Sequence, residues 1–243
     1  TVTSTDEDNN TVSYTITGGA DAASFSISSG VLTFVSTPNY EIPDDDDTNN
    51  EYIIIVTATD NGSGLLTDTQ TITITVTDVN EDPVITSSAS ADYAENSTSV
   101  VIIVTSTDVD SLDTADYSIS GTDVDEFSIN NSSGELTFVS TPNYESPTDT
   151  DGNNTYIVDV TVTDSGLLTD TQTLTITVTD ENDAPVITSP ASASYAENST
   201  SSVTTVTSTD EDNNTVSYTI TGGADAASFS ISSGVLTFVS TPN

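Results

Sequence analysis

Apolar residues alternate with polar ones, mostly threonine, over run after run of strand length. Thr71-Ile72-Thr73-Ile74-Thr75-Val76-Thr77 and Thr173-Leu174-Thr175-Ile176-Thr177-Val178-Thr179 are the clearest cases. A period of two puts the aliphatic side chains on one face of an extended chain and the hydroxyls on the other. Within residues 84–185 the same reading predicts seven strands, at about 84–94, 99–107, 115–120, 126–130, 135–140, 154–163 and 169–179. Turn-forming clusters separate them: Asp108–Asp113, Asn130–Gly134, Pro147–Asn153 and Ser165–Gly166. No stretch carries the 3.6-residue apolar period of an amphipathic helix. Seven short strands in about a hundred residues predict an all-β, Ig-like Greek-key sandwich. Its inward positions would be Tyr117, Phe127, Ile129, Leu136, Phe138, Tyr156, Val158, Val160, Val162, Leu174, Ile176 and Val178.

The pattern is repeated. Residues 1–39 are identical to residues 205–243, and a weaker copy lies midway. The Thr-Asp-x-Asp motif recurs as Asp6/Asp8, Asp108/Asp110 and Asp210/Asp212, each step 102 residues, and Thr-Pro-Asn-Tyr-Glu recurs at Thr37–Glu41 and Thr141–Glu145. The expected organisation is a tandem array: residues 1–83 a repeat lacking its N-terminal part, 84–185 a complete repeat, and 186–243 a repeat lacking its C-terminal half. Such a chain is expected to be a window on a longer end-to-end array.

Composition narrows the chemistry. The 243 residues include 39 Asp plus Glu and no Lys, Arg, His, Cys, Met or Trp, a formal charge of -39. That balance excludes nucleic acid and anionic membrane surfaces as electrostatic partners, and no apolar run reaches membrane-spanning length. Self-repulsion of this size calls for screening, disorder or bound cations. Ordered apolar runs such as Val100–Val104 and Tyr156–Val162 argue against disorder, which leaves cations. Without Cys or His the ligands must be hard oxygens. Without His, Cys, Lys or Arg there is also no triad base, thiolate, Schiff-base amine or anion clamp, so the expectation is a protein that is not an enzyme.

Oxygens cluster where the long threonine runs end. Asp78-Val79-Asn80-Glu81-Asp82-Pro83 and Asp180-Glu181-Asn182-Asp183-Ala184-Pro185 each place several donors and a φ-restricting proline between one strand and the next. Such a hinge suits a hard cation, ordinarily Ca²⁺. In chain order the complete repeat then offers Ala94-Glu95-Asn96, Asp108-Val109-Asp110, Asn143-Tyr144-Glu145, Asp164-Ser165-Gly166 and Asp180-Glu181-Asn182-Asp183. These resemble, block for block, the calcium-binding motifs of cadherin repeats: a lone glutamate, D-x-D, a D-R-E-like tripeptide, D-x-G and the D-x-N-D-N linker.

The resemblance implies extracellular sandwiches joined end to end, with about three Ca²⁺ at each junction. By motif, the second junction would use Glu95, Glu145, Asp180, the carbonyl of Glu181, Asn182 and Asp183, with Asp210 and Asp212 from the following domain. The first would use Glu41, Asp78, the carbonyl of Val79, Asn80 and Glu81, completed by Asp108, Asp110 and Asp164. Asp6, Asp8 and Asp60 would serve a junction with an upstream domain. Asn39 and Asn143 stand where the family usually has Asp, and Glu81 replaces a linker Asp that Asp183 retains, so occupancy is expected to differ between sites. The absence of Trp removes the tryptophan-mediated strand exchange of vertebrate adhesion cadherins.

Other polar features read more simply. Asp44–Asp47 is expected to be a solvated loop, because adjacent loop residues cannot all point at one ion. The threonine ladders suit a wet strand face, and they also leave open glycan attachment or binding to carbohydrate or ice. Sequons occur at Asn61, Asn96, Asn131, Asn153, Asn198 and Asn213. The expected function is a calcium-rigidified segment of an extracellular fibre or cell-surface adhesin stalk, of a prokaryotic kind. Its expected partners are neighbouring repeats of the same chain, other copies of the filament, and surface glycans.

Overall fold

The computed structural model describes residues 1–111 and 113–243; Leu112, within the expected Asp108–Asp113 turn, lies outside the described residues. Apart from three single 3-10 turns, at Ala22–Ser24, Val124–Glu126 and Ala226–Ser228, every regular element among them is a β-strand. The chain divides into two compact units, one built from Thr1–Val84, Ser106–Ala115 and Val162–Asp170, the other from Ile85–Thr105, Asp116–Thr161 and Thr171–Asn243.

The first unit contains β1 (Val12–Gly18), β2 (Phe25–Ser28), β3 (Val31–Phe34), β4 (Glu51–Asp60) and β5 (Thr67–Thr75). An antiparallel sheet has the order β1-β4-β5, and β2 pairs with β3. Alternate residues of β4, Tyr52, Ile54 and Val56, are buried together with Phe25 and pack against Phe34, Ile72 and Ile74. Full burial of each such side chain stabilises the fold by about 1.5–3 kcal/mol. The register sets Thr57 opposite Thr69 and Thr59 opposite Thr67, so the hydroxyls form the outer face.

The stretch 84–185 carries β6 (Val84–Ile85), β7 (Ser90–Ala94), β8 (Ile102–Ile103), β9 (Ser106–Thr107), β10 (Asp116–Ser120), β11 (Phe127–Ile129), β12 (Glu135–Phe138), β13 (Thr155–Thr163) and β14 (Thr169–Thr179). Two of its sheets run β10-β13-β14-β7 and β11-β12-β8. Ten of the twelve expected inward positions are buried, while Ile129 and Phe138 are partly so. Phe138 still sits at the centre of an aromatic cluster, with ring centroids 4.5 Å from Phe127 and 5.1 Å from Tyr93 and Tyr156.

The strands expected at 84–94 and 99–107 are each broken in two. The amides of Thr86 and Ser87 both reach the carbonyl of Thr105, a bulge that interrupts the ladder. The chain then resumes as β7, in parallel register beside β14, pairing Ser90 with Thr175 through Ala94 with Thr179. A strand that changes sheets this way needs a bend, which period-two patterning does not reveal.

Residues 186–243 carry β15 (Val186–Ile187), β16 (Thr204–Thr205), β17 (Ser208–Thr209), β18 (Phe229–Ser232) and β19 (Val235–Phe238), in sheets β15-β17 and β16-β19-β18. One hairpin turn recurs in all three copies. Gly30, Gly134 and Gly234 have φ of 79°, 70° and 78°, and a Cβ there would collide with the carbonyls of Val2, Val104 and Val206.

Buried aspartates organise the long loops. Asp21 accepts the amides of Asp46 (2.7 Å) and Ile53 (2.6 Å), and Asp45 those of Asn49 (2.8 Å) and Asn50 (3.3 Å). Asp123 and Asp149 do the same in the second unit, toward Thr150, Ile157, Asn153 and Asn154. The expectation of a solvated Asp44–Asp47 loop holds for the exposed Asp44, Asp46 and Asp47 and is corrected for Asp45. Asp45 is only 4% exposed because backbone N–H groups replace its water, and Asp44 takes the Tyr52 hydroxyl at 2.9 Å.

Candidate metal centres

Acidic side chains gather where strands end. In the first unit the Asp78–Glu81 segment lies just beyond β5, Asp108 and Asp110 follow β9, and Asp164 follows β13. Glu41, Asp78, Glu81 and Asp110 each offer one oxygen, all within 4.8 Å of one another, and Asp108, Asp113 and Asp164 form a second such group. Oxygens sharing one Ca²⁺ at 2.3–2.6 Å lie at most about 5 Å apart, so both groups have the right span.

Backbone and side-chain bonds hold this arrangement. The Glu81 amide donates to Asp110 Oδ2 at 2.9 Å, and Asn80 Nδ2 donates to Asp164 Oδ2 at 2.7 Å. Asp164 is 5% exposed, and its Oδ1 takes the Leu168 amide at 2.8 Å. Gly166 lies beneath it, where an added Cβ would force the Asn80 side-chain amide to shift. Glu41 Oε1, Asp108 Oδ2 and Asp113 Oδ2 are fully buried with no hydrogen-bond partner. A bare buried carboxylate oxygen is costly unless a cation meets it, so the donor set fits a divalent ion. The Glu81 carboxyl is pushed above its ordinary range by partial desolvation and then by Glu41, Asp110, Asp78 and Asp108.

The second unit repeats the geometry with different partners. Glu95, Glu145 and Asp180 form one group of close oxygens, and Glu145, Asp183 and Glu211 another. Glu95, 2% exposed, accepts the amides of Tyr144 (2.7 Å) and Glu181 (2.9 Å). The Asp183 amide donates to Asp212 Oδ2 at 2.6 Å, matching the Glu81–Asp110 bond of the first unit. Asn182 Oδ1 takes Asn214 Nδ2 at 3.0 Å. Desolvation comes first in raising the pKa of Glu145, Asp180 and Asp183; Glu95 and Asp212 are among the neighbours that raise all three further.

No family model and no curated protein matches the chain. Solved structures do. The protocadherin gammaB7 EC3-6 cis-dimer structure aligns with a TM-score of 0.55 at 22% identity, over 96% of this chain and 61% of that one. Mouse cadherin-23 EC22-24 aligns at 0.55 and 23%, over 96% and 76%. Protocadherin Gamma B2 extracellular cadherin domains 3-6 align at 0.53 and 21%, over 96% and 61%. The chain thus spans 61% of the length of each of these two protocadherin chains. The fold is cadherin-like.

In this cadherin-like chain most of the expected ligand residues converge, though not all. Asp6, Asp8, Asp60, Asp210 and Asp212 join no close carboxylate group among the described residues. Asp6 Oδ1 instead accepts the amides of Asp8 and Asn10, Asp60 Oδ1 those of Gly62 and Leu66, and Asp210 Oδ1 that of Asn214. Val79 is 67% exposed, leaving its backbone carbonyl as its ligand atom, and Glu181 contributes its amide to Glu95. Two participants went unforeseen, Asp113 and Glu211. Both lie within or beside a D-x-D element, outside its invariant letters, so motif reading passes over them.

Proposed function

We propose that the chain is a structural segment of an extracellular fibre or adhesin stalk in which Ca²⁺ stiffens the junctions between successive sandwiches. The observation that carries this reading is the trio of buried, unpartnered carboxylate oxygens at the first junction, Glu41 Oε1, Asp108 Oδ2 and Asp113 Oδ2. The first junction would hold its ions through Glu41, Asp78, Asn80, Glu81, Asp108, Asp110 and Asp164 with the Val79 carbonyl. The second would use Glu95, Glu145, Asp180, Asn182, Asp183, Asp210 and Asp212 with the Glu181 carbonyl. Bound Ca²⁺ would supply the positive charge the chain lacks and tie the linker to the loops on either side. About three ions per junction and repeats at 1–83, 84–185 and 186–243 belong to this reading.

The cadherin-like fold supports an extracellular setting, and no described helix is long and apolar enough to cross a membrane. None of the matched structures bears on the expected prokaryotic source. Catalysis forms no part of the reading, because the carboxylates that come together are the ones assigned to calcium. Small-angle scattering of the intact chain tests it: excess chelator is expected to shorten the particle, and added Ca²⁺ to restore it. Identical curves in both conditions refute it.

A second reading has its own observation. On the outer face of β1-β4-β5, Thr15, Thr17, Thr57, Thr69, Thr71 and Thr73 surround Ile53 and Ile55, with Glu51 at one end. Such a weakly charged hydroxyl face on a chain of charge -39 suits carbohydrate or ice, or attached glycans. Retention on immobilised polysaccharide or growing ice, abolished by Thr71→Asp, would favour it; no retention on either removes it.

A further inference from the structure

The loop after each D-x-D element differs in one respect. After Asp8 and Asp212 the chain continues Asn-Asn-Thr, whereas after Asp110 it is one residue longer and brings in Asp113. In the outer copies the loop amide two residues past the second aspartate returns to the first: Asp6 Oδ1 takes the Asn10 amide at 2.8 Å, and Asp210 Oδ1 the Asn214 amide at 2.9 Å. In the middle copy Asp108 Oδ1 takes the Asp110 amide at 2.9 Å, while its Oδ2 is buried and unpaired. The Asp113 amide is held by the Asp110 carbonyl at 2.9 Å, and the Ser165 hydroxyl donates to Asp113 Oδ1. That leaves Asp113 Oδ2 buried and unpaired as well, and one carboxylate oxygen of Asp113 lies within 4.8 Å of oxygens of Asp108 and Asp164.

Asp113 also borders two cavities of the first unit. One, of about 490 Å³, is lined by Glu41, Asp78 and Asp110; the other, of about 90 Å³, by Asp108 and Asp164. Its carboxylate stands where the two oxygen groups meet.

We infer that Asp113 is an additional cation ligand, outside the motif set, that tightens the Asp108–Asp164 calcium site of the first junction relative to its counterpart in the second. The inference rests on the calcium reading above and deepens it. A third carboxylate raises the charge count around one ion, and charge count is a principal determinant of calcium affinity. No carboxylate stands at the corresponding place in the second junction, where Asn213 and Asn214 occupy the loop.

Calorimetric titration of the intact chain with CaCl₂, beside Asp113→Asn, tests this. The asparagine keeps an oxygen for Ser165 and removes only the charge. The expected result is that one binding class weakens by about tenfold in affinity, with the other classes unchanged. Melting in chelator should not fall for Asp113→Asn, since without metal the substitution also removes an unneutralised buried charge, which offsets the weakened Ser165 bond. Superimposable isotherms overturn the role of Asp113 and leave the calcium reading standing. A fall in chelator-treated melting equal to that in calcium overturns it too, by making the residue merely structural. Absence of any calcium binding by the unsubstituted chain sinks the calcium reading itself, and this inference with it.

Discussion

The two acidic junctions use the same motifs and manage their charge differently. In the first, three carboxylate oxygens are buried without partners, and the middle position of its D-x-D is a neutral Val109, 58% exposed. In the second, the buried Glu95 holds the amides of Tyr144 and Glu181, while the Asp183–Asp212 bond only repeats Glu81–Asp110 of the first. There the D-x-D middle residue is Glu211, which takes Asn143 Nδ2 at 2.8 Å. Both junctions meet part of their charge with backbone amides, but only the first leaves buried carboxylate oxygens to be met from outside, among the described residues. Calcium dependence should therefore be steeper at the first, and dependence on internal hydrogen bonds and on pH steeper at the second.

Removing calcium should separate them most. A saturated site contributes about 2.7 kcal/mol at a hundredfold excess of ligand over Kd, so chelation is the largest perturbation available. Hydrogen exchange with and without chelator is expected to show greater loss of protection at residues 78–81 and 108–111 than at 180–183 and 210–214. Equal loss would break the contrast.

Glu95→Gln comes next. It turns two charge-assisted bonds to buried amides into neutral ones, each charged bond being worth about 1.5–3 kcal/mol, and should lower the urea midpoint even in chelator. An unchanged midpoint would mean that the Tyr144 and Glu181 amides find other acceptors.

Acidity distinguishes the junctions in the opposite sense. Glu81 is raised in the first, and Glu145, Asp180 and Asp183 in the second. A carboxyl whose folded pKa exceeds its unfolded value favours the fold below the unfolded pKa, near 3.8 for Asp and 4.5 for Glu, and that advantage fades as pH rises through the folded value. In chelator, melting temperature should therefore fall as pH rises from the unfolded carboxylate range through the raised folded values, and calcium should flatten the slope. Asp45 and Asp149 shift the other way: burial would raise them, but bonds from Asn49 and Asn50, and from Asn153 and Asn154, prevail and lower them. Their contribution is present above their unfolded pKa and lost as pH falls through the depressed folded values, which sets the acid limb of the curve. A flat profile in chelator would show that the raised groups do not govern stability.

Val109→Glu should have the smallest effect. It copies Glu211 into the first junction at an exposed position, where a charge interaction is worth about 0.5 kcal/mol, and should shift the calcium midpoint only slightly. A shift as large as that from Asp113→Asn would show that the middle D-x-D position matters as much as the buried oxygens.

Much of the architecture was legible from pattern. Alternation located β13 and β14 almost to the residue, because Tyr156, Val158 and Val160 must face inward wherever such a strand packs. The motif set pointed to Glu41, Asp78, Glu81 and Asp110 before their oxygens were seen to meet. Spacing could not disclose the bulge at Thr86–Ser87, where two amides share one carbonyl. Nor could it disclose Asp113, whose place depends on Ser165, 52 residues away.

The identical copies at the two ends draw the boundary between local and tertiary control. Phe25–Ser28 pairs with Val31–Phe34, and Phe229–Ser232 pairs with Val235–Phe238, because a short hairpin brings its own partner along with its sequence. Val12–Gly18 is a strand bonded along β4, yet the same seven residues at 216–222 form no strand. Sequence alone settled the hairpin, the glycine turn and the alternating face; a distant partner decided whether that face became a sheet. Backbone N–H and C=O groups stay in a ladder only when another strand answers them, and no residue carries that answer within itself.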